Sequence, residues 1–181
     1  MEESPKMVAQ NFLGRMLRAA KLDPQLYEEV EADKTAMGQA LGVVVLSSLA
    51  AGIGTIGHFG GYGHVFGGIF WSIIGWFVWA LLTYWIGTRL LPEPQTHADL
   101  GEMLRTIGFS SSPGLIRIAG ILPGLAGIAF TVSSVWMLVA MVIAVRQALD
   151  YQSTWRAVGV CAIGWLVQIL VLMLTIGVAA S

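Results

Sequence analysis

Apolar and polar positions alternate with helical period over residues 6–22, KMVAQNFLGRMLRAAKL. At about 100° per residue, Val8, Ala9, Phe12, Leu13, Met16, Leu17, Ala19 and Ala20 share one half of the helical wheel, and Gln10, Asn11, Gly14, Arg15, Arg18 and Lys21 share the other. The pattern predicts a basic amphipathic helix in the headgroup layer, with Phe12 and Met16 facing down and Arg15, Arg18 and Lys21 near anionic lipid. Packing of the same apolar face on the protein's own spans, or on a neighbouring subunit, is the competing arrangement. Leu22-Asp23-Pro24 ends this helix and opens another, because the residue before proline leaves the helical region and Pro24 suits a first helical position capped by Asp23. The next turns, QLYEEVEAD, are acidic. Glu28, Glu29, Glu31 and Asp33 need water or basic partners, and Arg15, Arg18 and Lys21 are near enough in sequence to supply them. A solvated charge run fits better than a metal site, since a helix splays its carboxylates where a hard cation needs converging oxygens.

Beyond Lys34 the pattern changes to long apolar runs. No Asp, Glu, Lys or Arg occurs between Thr35 and Thr88, room for two spans of about 20 residues each. The first is expected over 37–57, where Gly38 and Gly42 make a small-xxx-small pair that suits close packing within the chain, with a homodimer seam as the alternative. A glycine-rich turn, GTIGHFGGYGHVFGG, then reverses the chain and carries His58 and His64. The second span, 66–91, is aromatic. Trp71, Tyr84 and Trp85 are placed as interfacial anchors. Trp76 and Trp79 fall near mid-membrane, where packing against neighbouring helices explains them and contact with a pigment or quinone held by a partner subunit is the alternative. A third span is expected over 106–122, kinked at SSSP, with the carbonyls freed by Pro113 met by hydroxyls or adjacent helices. It contains Arg117, an intramembrane charge site unless the guanidinium reaches the headgroups. The fourth and fifth spans are expected over 125–145 and 158–179. The fold class is therefore all-α and polytopic: a cytoplasmic amphipathic and acidic arm, 1–35, followed by a five-span domain, 36–181.

Composition agrees with a membrane protein: 56% of residues are hydrophobic, 12% are charged, and mean hydropathy is +0.73, against about a quarter charged in soluble domains. The net charge of −1 speaks against a nucleic-acid partner. The beginning MEESPK does not resemble a secretory signal. The lone Cys161 allows no intrachain disulfide and reads as an apolar packing residue. Nine of ten Lys and Arg fall in the first arm or in the loops after the second and fourth spans, and Arg117 is the exception. The bias predicts a cytoplasmic amino terminus and an external carboxyl terminus.

Candidate chemistry is sparse. Ser110, Ser111 and Ser112 are placed a membrane thickness away from His58 and His64, so no nucleophile–base pair forms. The two histidines have no Asp, Glu or Cys beside them to complete a metal site, and a loop is an unusual place for a haem or chlorophyll ligand. No span carries a carboxylate, which argues against proton- or sodium-driven transport.

The run LRAAKLDPQLYEEVEADKTAMGQALGVV, with LTYWIGTRLL, LRTIGFSSSP and VWMLVAMVIAVRQAL further on, resembles the Yip domain family of Ypt/Rab-interacting membrane proteins in its bacterial form. The resemblance covers roughly residues 14–175. It implies a five-span membrane protein without an established activity and brings no catalytic residues. The trafficking role of eukaryotic members rests on extended cytosolic arms, and about 35 residues precede the first span here. Residues and resemblance together predict a non-enzymatic scaffold in a bacterial inner membrane. It would contact lipid and other integral membrane proteins as a homo- or hetero-oligomer, with no cofactor of its own. An accessory subunit of a photosynthetic or respiratory complex is the alternative, and a small-solute channel or transporter comes third.

Overall fold

A computed structural model describes residues 5–59 and 63–179, with side chains described for 11–55, 65–171 and 173. Seven α-helices follow one another there: α1 (Pro5–Ala20), α2 (Pro24–Ala32), α3 (Met37–Phe59), α4 (Gly63–Trp85), α5 (Leu100–Ser110), α6 (Ala126–Ala148) and α7 (Thr154–Ala179). Local chemistry sets their ends as the sequence predicts. α1 closes with the Leu22 N–H donating to the Ala19 carbonyl and the Asp23 N–H to Arg18, with Leu22 at φ 63° in a position glycine usually holds. The Asp23 carboxylate then accepts the Gln25 N–H at 3.0 Å to start α2. A reciprocal pair starts α5: Asp99 accepts the Glu102 N–H at 2.8 Å, and Glu102 accepts the Asp99 N–H at 2.7 Å.

Two expected boundaries move. The turn between the first two spans is shorter than the glycine run suggests, since α3 continues to Phe59 and α4 begins at Gly63. His58 therefore lies in a last helical turn and His64 in a first one, and both side chains fall outside those described. The second span ends in a π-helical turn, Ile86–Leu90, where the Tyr151 hydroxyl donates to the Gly87 and Leu91 carbonyls at 3.0 and 2.7 Å.

The third span departs most from expectation. In place of one kinked α-helix over 106–122, α5 stops at Ser110 and a 3₁₀-helix runs from Ser112 to Ile121. Pro113 lacks the N–H that would bond the Phe109 carbonyl, and the Ser112 hydroxyl takes that carbonyl instead at 2.7 Å. The expected repair of the break by hydroxyls is what the structure contains. Ten residues of 3₁₀-helix are uncommon, and packing accounts for them. A Cβ on Gly108 would come within 2.7 Å of the Ala40 side chain, one on Gly114 would overlap the Ser47 hydroxyl, and one on Gly120 would come within 2.8 Å of the Gly54 carbonyl. These glycines are six apart; Gly108 closes the α5 side of the break, and Gly114 and Gly120 lie two turns apart at about three residues per turn. Ala40, Ser47 and Gly54 are seven apart, close to two turns at about 3.6. The seam runs parallel to α3 over a rise of about 21 Å.

α5 is the centre of one end of the bundle, with Met103 to Ser110 all buried. α1 and α2 do not form a separate arm. Met16, Ala19, Leu26, Tyr27 and Val30 share one apolar core with Ala40, Val43, Phe109 and Ala144. A second core joins Trp79, Ile86, Met103, Val145, Leu149 and Val160.

Candidate functional site

The water-to-lipid junction is built on ion pairs between α1 and α2. Arg15 bonds Glu29 and Asp33, both at 2.9 Å, and donates to Gln39 at 3.0 Å. Arg18 bonds Asp23 at 2.8 Å and Glu29 at 2.6 Å, and this guanidinium holds the Asp23 carboxyl below the usual carboxylate range. The acidic run thus finds its basic partners on α1. The facing of α1 differs from the headgroup arrangement. Arg15 and Met16 are buried at 7% and 4% exposure, and the Phe12 ring turns onto α3, 3.4 Å from where a Gly42 Cβ would lie. Leu13, Leu17 and Lys21, at i, i+4 and i+8, are the exposed edge. Apolar residues flank both sides of the Arg15–Arg18 stripe, and the 3₁₀-helix, α2 and α5 take one of them.

Arg105 holds the end of α2. It is 4% exposed, and its guanidinium donates to the Val30 carbonyl at 2.9 Å and to the Glu31 carbonyl. These are among the last carbonyls of α2, which have no partner within the helix and carry the negative end of its dipole. Beside them, burial first and then the charges of Asp150, Glu102 and Glu28 push the Glu31 carboxyl from 4.5 up to about 8, against the pull of Arg105. Across that window the unfolded chain gives up the proton while the folded chain keeps it, so native stability falls as pH rises and levels off above the window. Glu31→Gln should remove this slope. Its thermal midpoint in detergent is expected to match wild type below the window and to exceed it above by about 1–2 kcal/mol, the figure being reduced for the carboxylate's partial exposure. An offset that stays constant across the pH series would count against it.

The expected Gly38–Gly42 seam does not bring another long helix into close approach. A Cβ on Gly38 would meet nothing within 4 Å, and Gly42 faces only Phe12; the close approach uses the next residues round the helix, Ala40, Ser47 and Gly54. Trp76 and Trp79 both reach neighbouring helices. The Trp76 indole donates to the Leu104 carbonyl at 3.0 Å, and the Trp79 ring lies 3.2 Å from where a Gly164 Cβ on α7 would be. The Trp79 N–H is buried without a hydrogen-bond partner.

Between α3, α4, the 3₁₀-helix, α6 and α7 lies a cavity of about 520 Å³, lined on its polar side by Ser47, Ser48, Thr55, Ser72, Arg117 and Gln168. Arg117 donates to Ser133 at 2.9 Å and to Ser134 at 3.5 Å, with its guanidinium carbon 5.6 Å from the Phe130 ring centre. All eleven acidic residues lie within 2–33, 93–102 or at 150. The only residues described as bonded to the guanidinium are serines. Sequence singles out Arg117 but not its surroundings, which come from four other helices. Among the described residues no three His, Cys, Asp or Glu come together as a metal site.

Among the described residues, α3, α4, α6 and α7 are long and apolar enough to cross a membrane. Their outward faces carry residues such as Phe66, Trp71, Val135, Trp165 and Leu170, exposed apolar surface far beyond what a soluble monomer shows. This is a polytopic integral membrane protein. The chain belongs to the Yip1 domain family, whose family model matches residues 24–176. That family is not a known enzyme family. No curated protein and no solved structure gives a match.

Proposed function

We propose that this protein is a non-enzymatic scaffold of the inner membrane that holds other integral membrane proteins against its α4 face. The observation that carries the reading is the large outward face of α4. Only 11% of its most apolar stretch is buried within the chain, yet it presents Phe66, Phe70, Trp71, Phe77 and Trp85 outward, and aromatic residues are enriched where membrane and protein partners meet. We read five crossings. α5 and the 3₁₀-helix together follow α3 over about 21 Å, most of a hydrocarbon core of about 30 Å, so they cross where α3 crosses. Nine of ten cations at one end put the amino terminus in the cytoplasm, where Leu13, Leu17 and Lys21 rest on the bilayer surface. A carboxyl-terminal epitope tag is expected to be labelled on intact cells with an opened outer envelope. Isolation through that tag in mild detergent should yield an integral membrane partner in fixed ratio, depleted several-fold when Phe70, Trp71 and Phe77 are all changed to alanine. Failure of the tag to label overturns the orientation, and recovery of the chain alone overturns the scaffold. A cofactor-bearing partner would instead identify an accessory subunit of an energy-transducing complex.

A further inference from the structure

The cavity beside Arg117 does not end inside the protein. Gly75, Trp79 and Gln168 line it and also line a second space of about 850 Å³ between α4 and α7. That space is walled by Trp71, Ile74, Val78, Leu81, Trp85 and Val171, all apolar, several of them exposed at the protein's outer surface. From Trp71 to Trp85 it runs along about 21 Å of α4, more than the roughly 15 Å of hydrocarbon in one leaflet. A polar chamber with a cation thus continues into an apolar groove the length of a lipid chain.

One demand is unmet there. Among the described residues the Arg117 guanidinium meets only neutral serines and a ring face, and no acidic residue in the sequence lies on the segments around it. A cation in hydrocarbon surroundings is costly without an anion. The Arg117 carbonyl packs against Gly54, five residues before the end of α3 and so about 8 Å from it. Headgroups of the nearer leaflet are within reach at that depth.

We propose that one anionic phospholipid from the leaflet opposite α1 and α2 binds here, its phosphate on Arg117 and one acyl chain between α4 and α7. The phosphate supplies the missing counter-charge. Because the site holds no carboxylate to receive a choline or ethanolamine cation, it favours lipids of net negative charge. The site does not depend on the scaffold reading.

The test is native mass spectrometry of the full chain, stripped of lipid and offered phosphatidylglycerol and phosphatidylcholine together. Wild type is expected to keep one phosphatidylglycerol, preferred by about ten-fold over phosphatidylcholine, whose choline cation would be held near Arg117 with no carboxylate to offset the repulsion. Arg117→Gln should erase the preference. Gly75→Leu should block chain entry, and it fits the folded protein, since a Cβ there would meet nothing within 4 Å. If Arg117→Gln does not fold, Gly75→Leu decides alone. Equal retention of the two lipids by wild type overturns the proposal. So does full retention by a folded Gly75→Leu variant, and so does displacement of the lipid by millimolar inorganic phosphate, which would mark a free-anion site.

Discussion

Gly54→Ala is expected to unseat the 3₁₀-helix from α3 and to cost about 3 kcal/mol or more of stability. The new methyl group would overlap the backbone carbonyl of Arg117 and sit 3.2 Å from the Phe130 ring. A side chain can rotate away from such a clash, but the Arg117 carbonyl belongs to a helix already held against Ser47 and Gly54 through Gly114 and Gly120. The matched control is Gly38→Ala, in the same helix but facing open space. It should leave stability unchanged or raise it by up to about 1 kcal/mol through helix propensity. Thermal unfolding in detergent, with size-exclusion profiles for both variants, checks the pair. Equal midpoints would overturn the tight contact at this seam.

Arg105→Met is expected to release α2, at a cost of about 3–5 kcal/mol. The apolar replacement preserves much of the bulk but leaves the Val30 and Glu31 carbonyls without their donor in a buried place. Arg105→Lys should not rescue it, because one ammonium cannot reproduce two donors in a fixed fork. The measurements are the thermal midpoint and limited proteolysis of the amino-terminal region. Faster cleavage within residues 21–35 is the expected result, and wild-type protection with a wild-type midpoint would overturn it.

What sequence made legible depended on how local the cause was. The Leu22-Asp23-Pro24 break follows from one carboxylate and one ring, and the Ser112 hydroxyl answers a proton that Pro113 cannot supply; both need only neighbours in sequence. The partnership of Arg15 and Arg18 with the acidic run needed only short reach. The face that α1 buries was not legible. Leu13 and Leu17 are as apolar as Phe12 and Met16, and the choice is made by the 3₁₀-helix, α2 and α5. Neither was the shape of the third span. In a stretch apolar on every side, periods of 3.0 and 3.6 leave the same hydropathy trace, so the pattern does not separate the 3₁₀-helix from an α-helix. The cavity was hidden for a similar reason: Arg117 was visible, but Ser47, Ser72 and Gln168 stand beside it only once four other helices are placed.

The parallel seam also makes the two helices work as meshed gears, six teeth against seven. One residue inserted between Gly108 and Gly120 would turn every later 3₁₀ position by about 120° and bring a side chain to face the Gly54 backbone. One residue lost would do the same in the opposite sense. The segment 91–99, tied to its surroundings by Glu93, Gln95 and Arg156 at the surface, has no such gearing. Changes of chain length are therefore absorbed in that loop, whereas the 3₁₀-helix tolerates substitution at its outward positions Ile116 and Ile118 but no change in length.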